Sequence, residues 1–142
     1  MTLAASAYSL DDIRSTFGFF DSWQDKYAFL IDIGKALNPL PATSRVDGNL
    51  VRGCQSQVWL VPRFDGEHFK LAIDSDAHIV RGLIAIVLAA YDDRSPRQIL
   101  DFDIEGLFDE LDLMGHLSAT RGNGLRSMVG KIQSIAREHL DS

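Results

Sequence analysis

The chain has 142 residues, of which 46% are hydrophobic and 24% charged, a length and balance that support one domain with a core needing no metal or disulfide staples. Its 20 acidic residues outnumber 14 basic ones for a net charge of −6, and no Lys/Arg cluster stands out, which argues against a nucleic-acid partner. A single cysteine excludes an internal disulfide, and the most apolar run, residues 79–91, is interrupted by Arg81 and Gly82 and falls short of the ~20 residues of a membrane span.

Residues 1–8 lack the basic start and long apolar run of a secretory signal, so the cytoplasm is the expected compartment. Ser9 followed by Asp11 and Asp12 predicts a capped helix ending near Gly18. Asp21 or Ser22 caps a second helix, on which Trp23, Tyr27, Leu30, Ile31, Gly34 and Leu37 recur at helical spacing as an apolar face. Pro39 and Pro41 stop it, and a loop runs to Asn49. Residues 58–64 and 67–73 read as two strands joined by the tight turn Asp65-Gly66, with Phe69, Leu71 and Ile73 on one face and Pro62 at an edge or bulge. The expected sheet is antiparallel, with helices over one face. Asp74-Ser75-Asp76 is expected to cap the apolar helix that runs through Tyr91. Ser95-Pro96 starts the next helix, and Asp103 caps another that turns Ile104, Leu107, Phe108 and Leu111 inward. Residues 116–124 read as a loop, followed by an amphipathic helix with Leu125, Met128, Val129, Ile132, Ile135 and Ala136 on one side.

Most site chemistry finds no support in this sequence. The histidines (His68, His78, His116, His139) are scattered without ligand spacing, and His78 and His139 read as surface groups. There is no phosphate-cradling glycine loop and no serine-nucleophile elbow. The acids at 101–105 and 109–112 lie on stretches that also supply helix caps and solvated faces. What remains is Cys54, set among Arg52, Gly53, Gln55, Ser56 and Gln57 at a loop-to-strand junction. A free cysteine is most often a small buried hydrophobe. The polar neighbours favour instead a thiol presented on a loop, with Gly53 giving the tip backbone freedom. Such a thiol suits sulfur exchange, in which a thiolate attacks along an S–S axis. A cysteine hydrolase would need a base such as His116 beside it.

The run Gly53-Cys54-Gln55-Ser56-Gln57-Val58-Trp59 resembles the signature of the SufE family, sulfur acceptors that work with cysteine desulfurases. Residues 75–83 resemble that family's SDAxIVxGL helix start, and Arg121-Gly122-Asn123-Gly124-Leu125 is similar to its RxxGL element. Looser agreement runs through Trp23, Tyr27 and Gly34 and through residues 91–102, so the resemblance spans roughly Phe17 to the last helix. It implies a single α+β domain over residues 1–142, a small antiparallel sheet packed by helices, related in shape to iron–sulfur scaffold proteins of the IscU kind. It also implies that Cys54 takes a sulfane sulfur from the persulfide of a pyridoxal-phosphate desulfurase of the SufS or CsdA type, stimulating its turnover. The sulfur would pass to an iron–sulfur assembly scaffold of the SufBCD kind or another acceptor. Pyridoxal phosphate belongs to the partner, and no cofactor or metal is expected on this chain.

Within that resemblance Cys54 is expected to tuck against apolar residues at rest and swing out on docking, because burial blunts a thiol and exposure near a cation sharpens it. Arg52 and Arg121 are the candidate cations. Arg52 departs from the proline often found in relatives, and Arg121 reads equally as a docking group or as a surface charge at a helix start. Gln55, Ser56 and Gln57 are expected to shape the loop, and Asp76 to serve mainly as a helix cap. Two other readings stand beside this one: a thiol enzyme acting without a partner, and a binding module with a structural cysteine. Nothing in the sequence demands more than a monomer.

Overall fold

The computed structural model describes residues 9–54 and 56–140. Among them are six helices and one hairpin: α1 (Leu10–Phe19), α2 (Trp23–Lys35), β1 (Val58–Phe64), β2 (Phe69–Ser75), α3 (His78–Tyr91), α4 (Pro96–Asp101), α5 (Ile104–Glu110) and α6 (Ala119–Leu140). This is an α+β domain organised on α3, whose residues Ile84, Ala85, Ile86 and Val87 are wholly buried. A helix apolar on nearly every side has to be enclosed. Helix α2 crosses α3 where two glycines meet: a Cβ on Gly82 would overlap the Leu30 carbonyl oxygen and lie 2.7 Å from its carbon. Phe69, Leu71 and Ile73 of β2 turn inward, and Leu125, Met128, Val129 and Ile132 of α6 close the core from another side.

Helix starts follow the cap signals closely. Ser9 and Ser95 form capping boxes with Asp12 and Gln98, Ser22 accepts from the Asp25 amide, and Asp103 accepts from the Gly106 amide. On α2 the buried face is Leu30, Ile33 and Gly34, continued past the helix end by Leu37, whereas Tyr27 is exposed and Trp23 half-buried.

Three expectations are corrected. The hairpin closes with four residues rather than two, since Phe64 pairs with Phe69. Asp65 Oδ1 accepts the amides of Glu67 (2.9 Å) and His68 (2.7 Å) and holds the wider turn, with Gly66 at φ +99°. Helix α6 begins at Ala119 rather than after Gly124, with Ser118 Oγ accepting from the Arg121 amide at 3.2 Å. Gly122 and Gly124 lower helix propensity by about 1 kcal/mol each, but they sit where Met114 and Cys54 press against the helix. His139 is half-buried rather than on the surface, its ring 4.7 Å from that of Phe64 and 5.0 Å from that of Phe69.

The start of α3 is the fourth departure and bears most on the site. Ala77 stands at the N-cap with no side-chain hydrogen bond, so neither Asp74 nor Asp76 caps the helix. Asp74 is fully buried at the end of β2. It pairs with Arg81, accepts from Arg45 Nη2 (2.8 Å) and the Leu40 amide (2.9 Å), and also receives its neighbour Ser75's amide. Arg81 in turn donates to the Gly34 (3.1 Å) and Leu37 (2.7 Å) carbonyls, satisfying the end of α2. The segment from 37 to 45 is thereby tied to the sheet. A two-residue extension of the sheet follows beside it, where Leu50 bridges Trp59 and the Val51 amide donates to the Val58 carbonyl at 2.8 Å.

Candidate functional site

Beyond Val51 the backbone leaves the sheet as a short tip and returns at Val58, and Cys54 is on that tip. Gly53 has φ +92°, a conformation that side-chain-bearing residues rarely adopt. The turn aims Cys54 back at α6. Its Sγ lies 3.4 Å from the Gly124 carbonyl and donates to it, and Gly124 lacks the side chain that would crowd it. Cys54 is a free, half-buried thiol.

Cys54 lines a pocket of about 90 Å³ formed between the tip, α3 and α6. Val58, Val80, Leu83, Leu125 and Met128 line it with apolar side chains, and Ser56, Thr120 and Arg121 add polar groups. On the other side of the thiol the concave face of the tip opens into a groove of about 410 Å³, with Asp47, Arg52 and Gln57 along it. Burial raises the thiol above its ordinary acidity range, so the resting group is a protonated, muted nucleophile.

The downstream stem of the tip is fixed by Asp76. Its Oδ1 accepts the Gln57 amide at 3.1 Å, and its own amide donates to the Gln57 carbonyl at 3.4 Å. The residue expected to cap α3 is therefore a clasp on the Cys54 loop, because Ser75 Oγ already takes the Ala77 amide and leaves Asp76 free to face outward.

Of the residues singled out from sequence, the structure brings Cys54, Ser56 and Arg121 to one pocket and Arg52, Gly53 and Gln57 to the adjoining groove, with Asp76 joined through Gln57. Gln55 lies outside the described residues. Arg52 and Arg121 are exposed, and neither forms an ion pair among the described residues. His116 does not approach the thiol pocket: its ring stacks on Trp23 at 4.6 Å, and its Nδ1 lies 3.0 Å from the Asp112 carbonyl. Val80, Leu83 and Met128 read from sequence as core. Val80 and Leu83 fall in the stretch that resembles SDAxIVxGL, and Met128 falls on the α6 stripe of 121, 124, 125 and 128 that begins at the RxxGL arginine. Among the described residues no group of three or more His, Cys, Asp or Glu is placed to hold a metal, and no helix is long and apolar enough to cross a membrane.

Fold and site together define a small α+β domain that offers one thiol from a loop tip beside a pocket of mixed apolar and polar lining. The chain belongs to the SufE family, whose model, described as an Fe-S metabolism associated domain, matches residues 11–136. Membership places it in iron–sulfur metabolism. It is 44% identical over 136 residues to an uncharacterized SufE-like protein of Rhizobium meliloti (strain 1021), covering 93% of this chain and 97% of that one. A second uncharacterized SufE-like protein, from Rhizobium etli, is 45% identical over 133 residues, covering 91% of this chain and 90% of the relative. The solution structure of a hypothetical protein from Thermus thermophilus superposes with a TM-score of 0.73 at 18% identity, over 94% of this chain and 96% of that one, and shows the shared fold.

Proposed function

We propose that this chain is a sulfur acceptor: it takes a sulfane sulfur from the persulfide of a cytoplasmic, pyridoxal-phosphate cysteine desulfurase onto Cys54 and hands it to an iron–sulfur assembly scaffold. The observation that carries the reading is the position of Cys54, a half-buried free thiol lining a pocket with space for a further atom. A water needs roughly 10–15 Å³ of such space, and one more sulfur is of similar size, so the ~90 Å³ present accommodates a persulfide turned inward from solvent. In the transfer, the Cys54 thiolate attacks the outer sulfur of the donor persulfide. A new bond forms to Cys54 Sγ, the S–S bond to the donor cysteine breaks, and the donor leaves as a thiolate that takes up a proton. Draining the donor in this way stimulates its turnover.

This chemistry needs no base fixed beside the thiol, in keeping with a pocket that no histidine lines among the described residues. The thiol's raised pKa belongs to the seated tip, where burial opposes the thiolate, and is lost when the tip lifts Cys54 into solvent. The test is intact-mass measurement after incubation with a cysteine desulfurase and cysteine, beside an assay of desulfurase turnover. The protein gains one sulfur that reductant removes, and turnover rises. Cys54→Ser gains none and stimulates nothing. Stimulation undiminished in Cys54→Ser would sink the proposal.

A further inference from the structure

Helix α6 meets the tip at two positions one turn apart, Gly124 and Ser127. At Gly124 the missing side chain leaves Cys54 in ordinary contact, its Sγ 3.5 Å and its Cα 3.7 Å from where a Cβ would stand. At Ser127 the contact comes from the other partner: a Cβ on Gly53 would collide with Ser127 Oγ and lie 3.2 Å from its Cβ. The two tip residues thus rest on two small residues of one helix face, and Gly53 meets a second demand beyond its positive φ, that it carry no side chain. Ser127 is half-buried and lines neither the thiol pocket nor the groove.

We propose that Ser127 is a positioning residue that sets how firmly the Cys54 tip is seated, and hence how readily the thiol is released for transfer. The inference rests on the sulfur-acceptor reading for its purpose, though not for its geometry. The side that yields when position 127 grows is decided by what holds each partner. Helix α6 is fixed by Leu125, Met128 and Val129, all buried. Among the described residues the tip is held by the sulfur hydrogen bond to Gly124 and, at its stem, by the pairs at Val51–Val58 and Gln57–Asp76. Extra volume at 127 therefore lifts the tip and leaves the helix in place. Lifting returns Cys54 to solvent, removes the desolvation that mutes it and restores ordinary acidity.

The experiment is the rate of Cys54 alkylation by iodoacetamide in the purified protein across pH 6.5 to 10, roughly the range that brackets an ordinary thiol. Ser127→Leu is expected to alkylate faster than the parent near neutral pH, with the profile's midpoint moved down toward that of an unburied cysteine. Gly130→Leu is the control: Gly130 is on the same helix, exposed, with open space where its side chain would go, and its rate and midpoint stay those of the parent. A folded Ser127→Leu protein with the parent's rate and midpoint overturns the proposal. Where Ser127→Leu fails to fold, the contact is tested from the tip. Gly53→Ala is expected to alkylate faster than the parent, and adding Ser127→Gly to draw the rate back down. No such recovery also overturns it. A parent protein that gains no sulfur from a desulfurase, beside a Ser127→Leu variant that alkylates faster, leaves the seat standing and removes the acceptor function. The reverse pair of results removes the seat alone.

Discussion

Replacing Asp74 by Asn keeps the side chain's shape and removes its charge, which isolates what the buried carboxylate contributes. Asp74 is wholly inaccessible, and four donors converge on it: Arg81, Arg45 Nη2, the Leu40 amide and the Ser75 amide. Asn supplies one acceptor oxygen and turns an NH2 group toward donors already in place. The Arg81 side chain is only 15% exposed and keeps two backbone carbonyls, Gly34 and Leu37, but loses its counter-charge. Breaking a buried pair by removing one partner costs about 3–5 kcal/mol. Arg45, 38% exposed, can turn to water, which places the expected loss near the lower end at about 3 kcal/mol. A domain of this size has roughly 5–15 kcal/mol in all, so the variant folds with much of its margin gone. Urea denaturation of both proteins reads the difference. Arg45→Ala is the comparison, because a partly exposed arginine contributes about 1 kcal/mol or less. A loss under about 1 kcal/mol for Asp74→Asn, or equal losses for the two variants, refutes the reasoning.

Gly82→Ala drives a methyl into the Leu30 backbone, which a side-chain rotation cannot relieve. Overpacking of this kind costs about 1–3 kcal/mol, and the denaturation midpoint should fall while Gly130→Ala, with open space around it, raises it. Asp76→Ala removes the acceptor for the Gln57 amide, a bond worth about 0.5–1.5 kcal/mol. Hydrogen exchange at Gln57 should then quicken by about 2- to 13-fold with the fold intact, and unchanged exchange would show that the clasp does not hold the loop. Because burial raises the native Cys54 thiol above its unfolded value, the native state binds the extra proton at alkaline pH. Its contribution to stability is fully present below about 8.5, the unfolded value, and is lost as pH rises from there through the folded value. Cys54→Ser lacks this alkaline decline, and parallel pH profiles for the two proteins would contradict the assignment.

Local rules carried much of this structure from sequence. Ser9, Ser22, Ser95 and Asp103 each cap the helix expected of them, since a cap is decided within four residues. Inward faces on β2 and α6 were legible for the same reason, through period and burial. The readings that failed depended on partners distant in sequence. Asp74 looks like a helix cap until Arg81 and Arg45 are placed around it, and Asp76 until Gln57 is. Gly122 and Gly124 look like loop residues until Met114 and Cys54 are seen to need the space. At the site, the thiol and the RxxGL arginine were singled out from sequence, whereas the floor of the pocket was not. Val80 and Leu83 stand in the SDAxIVxGL stretch and Met128 on the inward face of α6, and neither pattern separates pocket wall from core.

The hydrogen bond from Val51 to Val58 fixes the length of the arc that carries the thiol. Only six residues, 52 to 57, lie between the two valines. Fully drawn out, such an arc stands about three residues high, or about 10 Å, before the strand pairing itself must open. A donor whose sulfur lay at the bottom of a deep shaft would stay out of range. For the sulfur acceptor proposed above, an arc this short would favour donors that carry their sulfur to the surface or on a moving segment. Lengthening it by a few residues would widen that choice and loosen the shelter together.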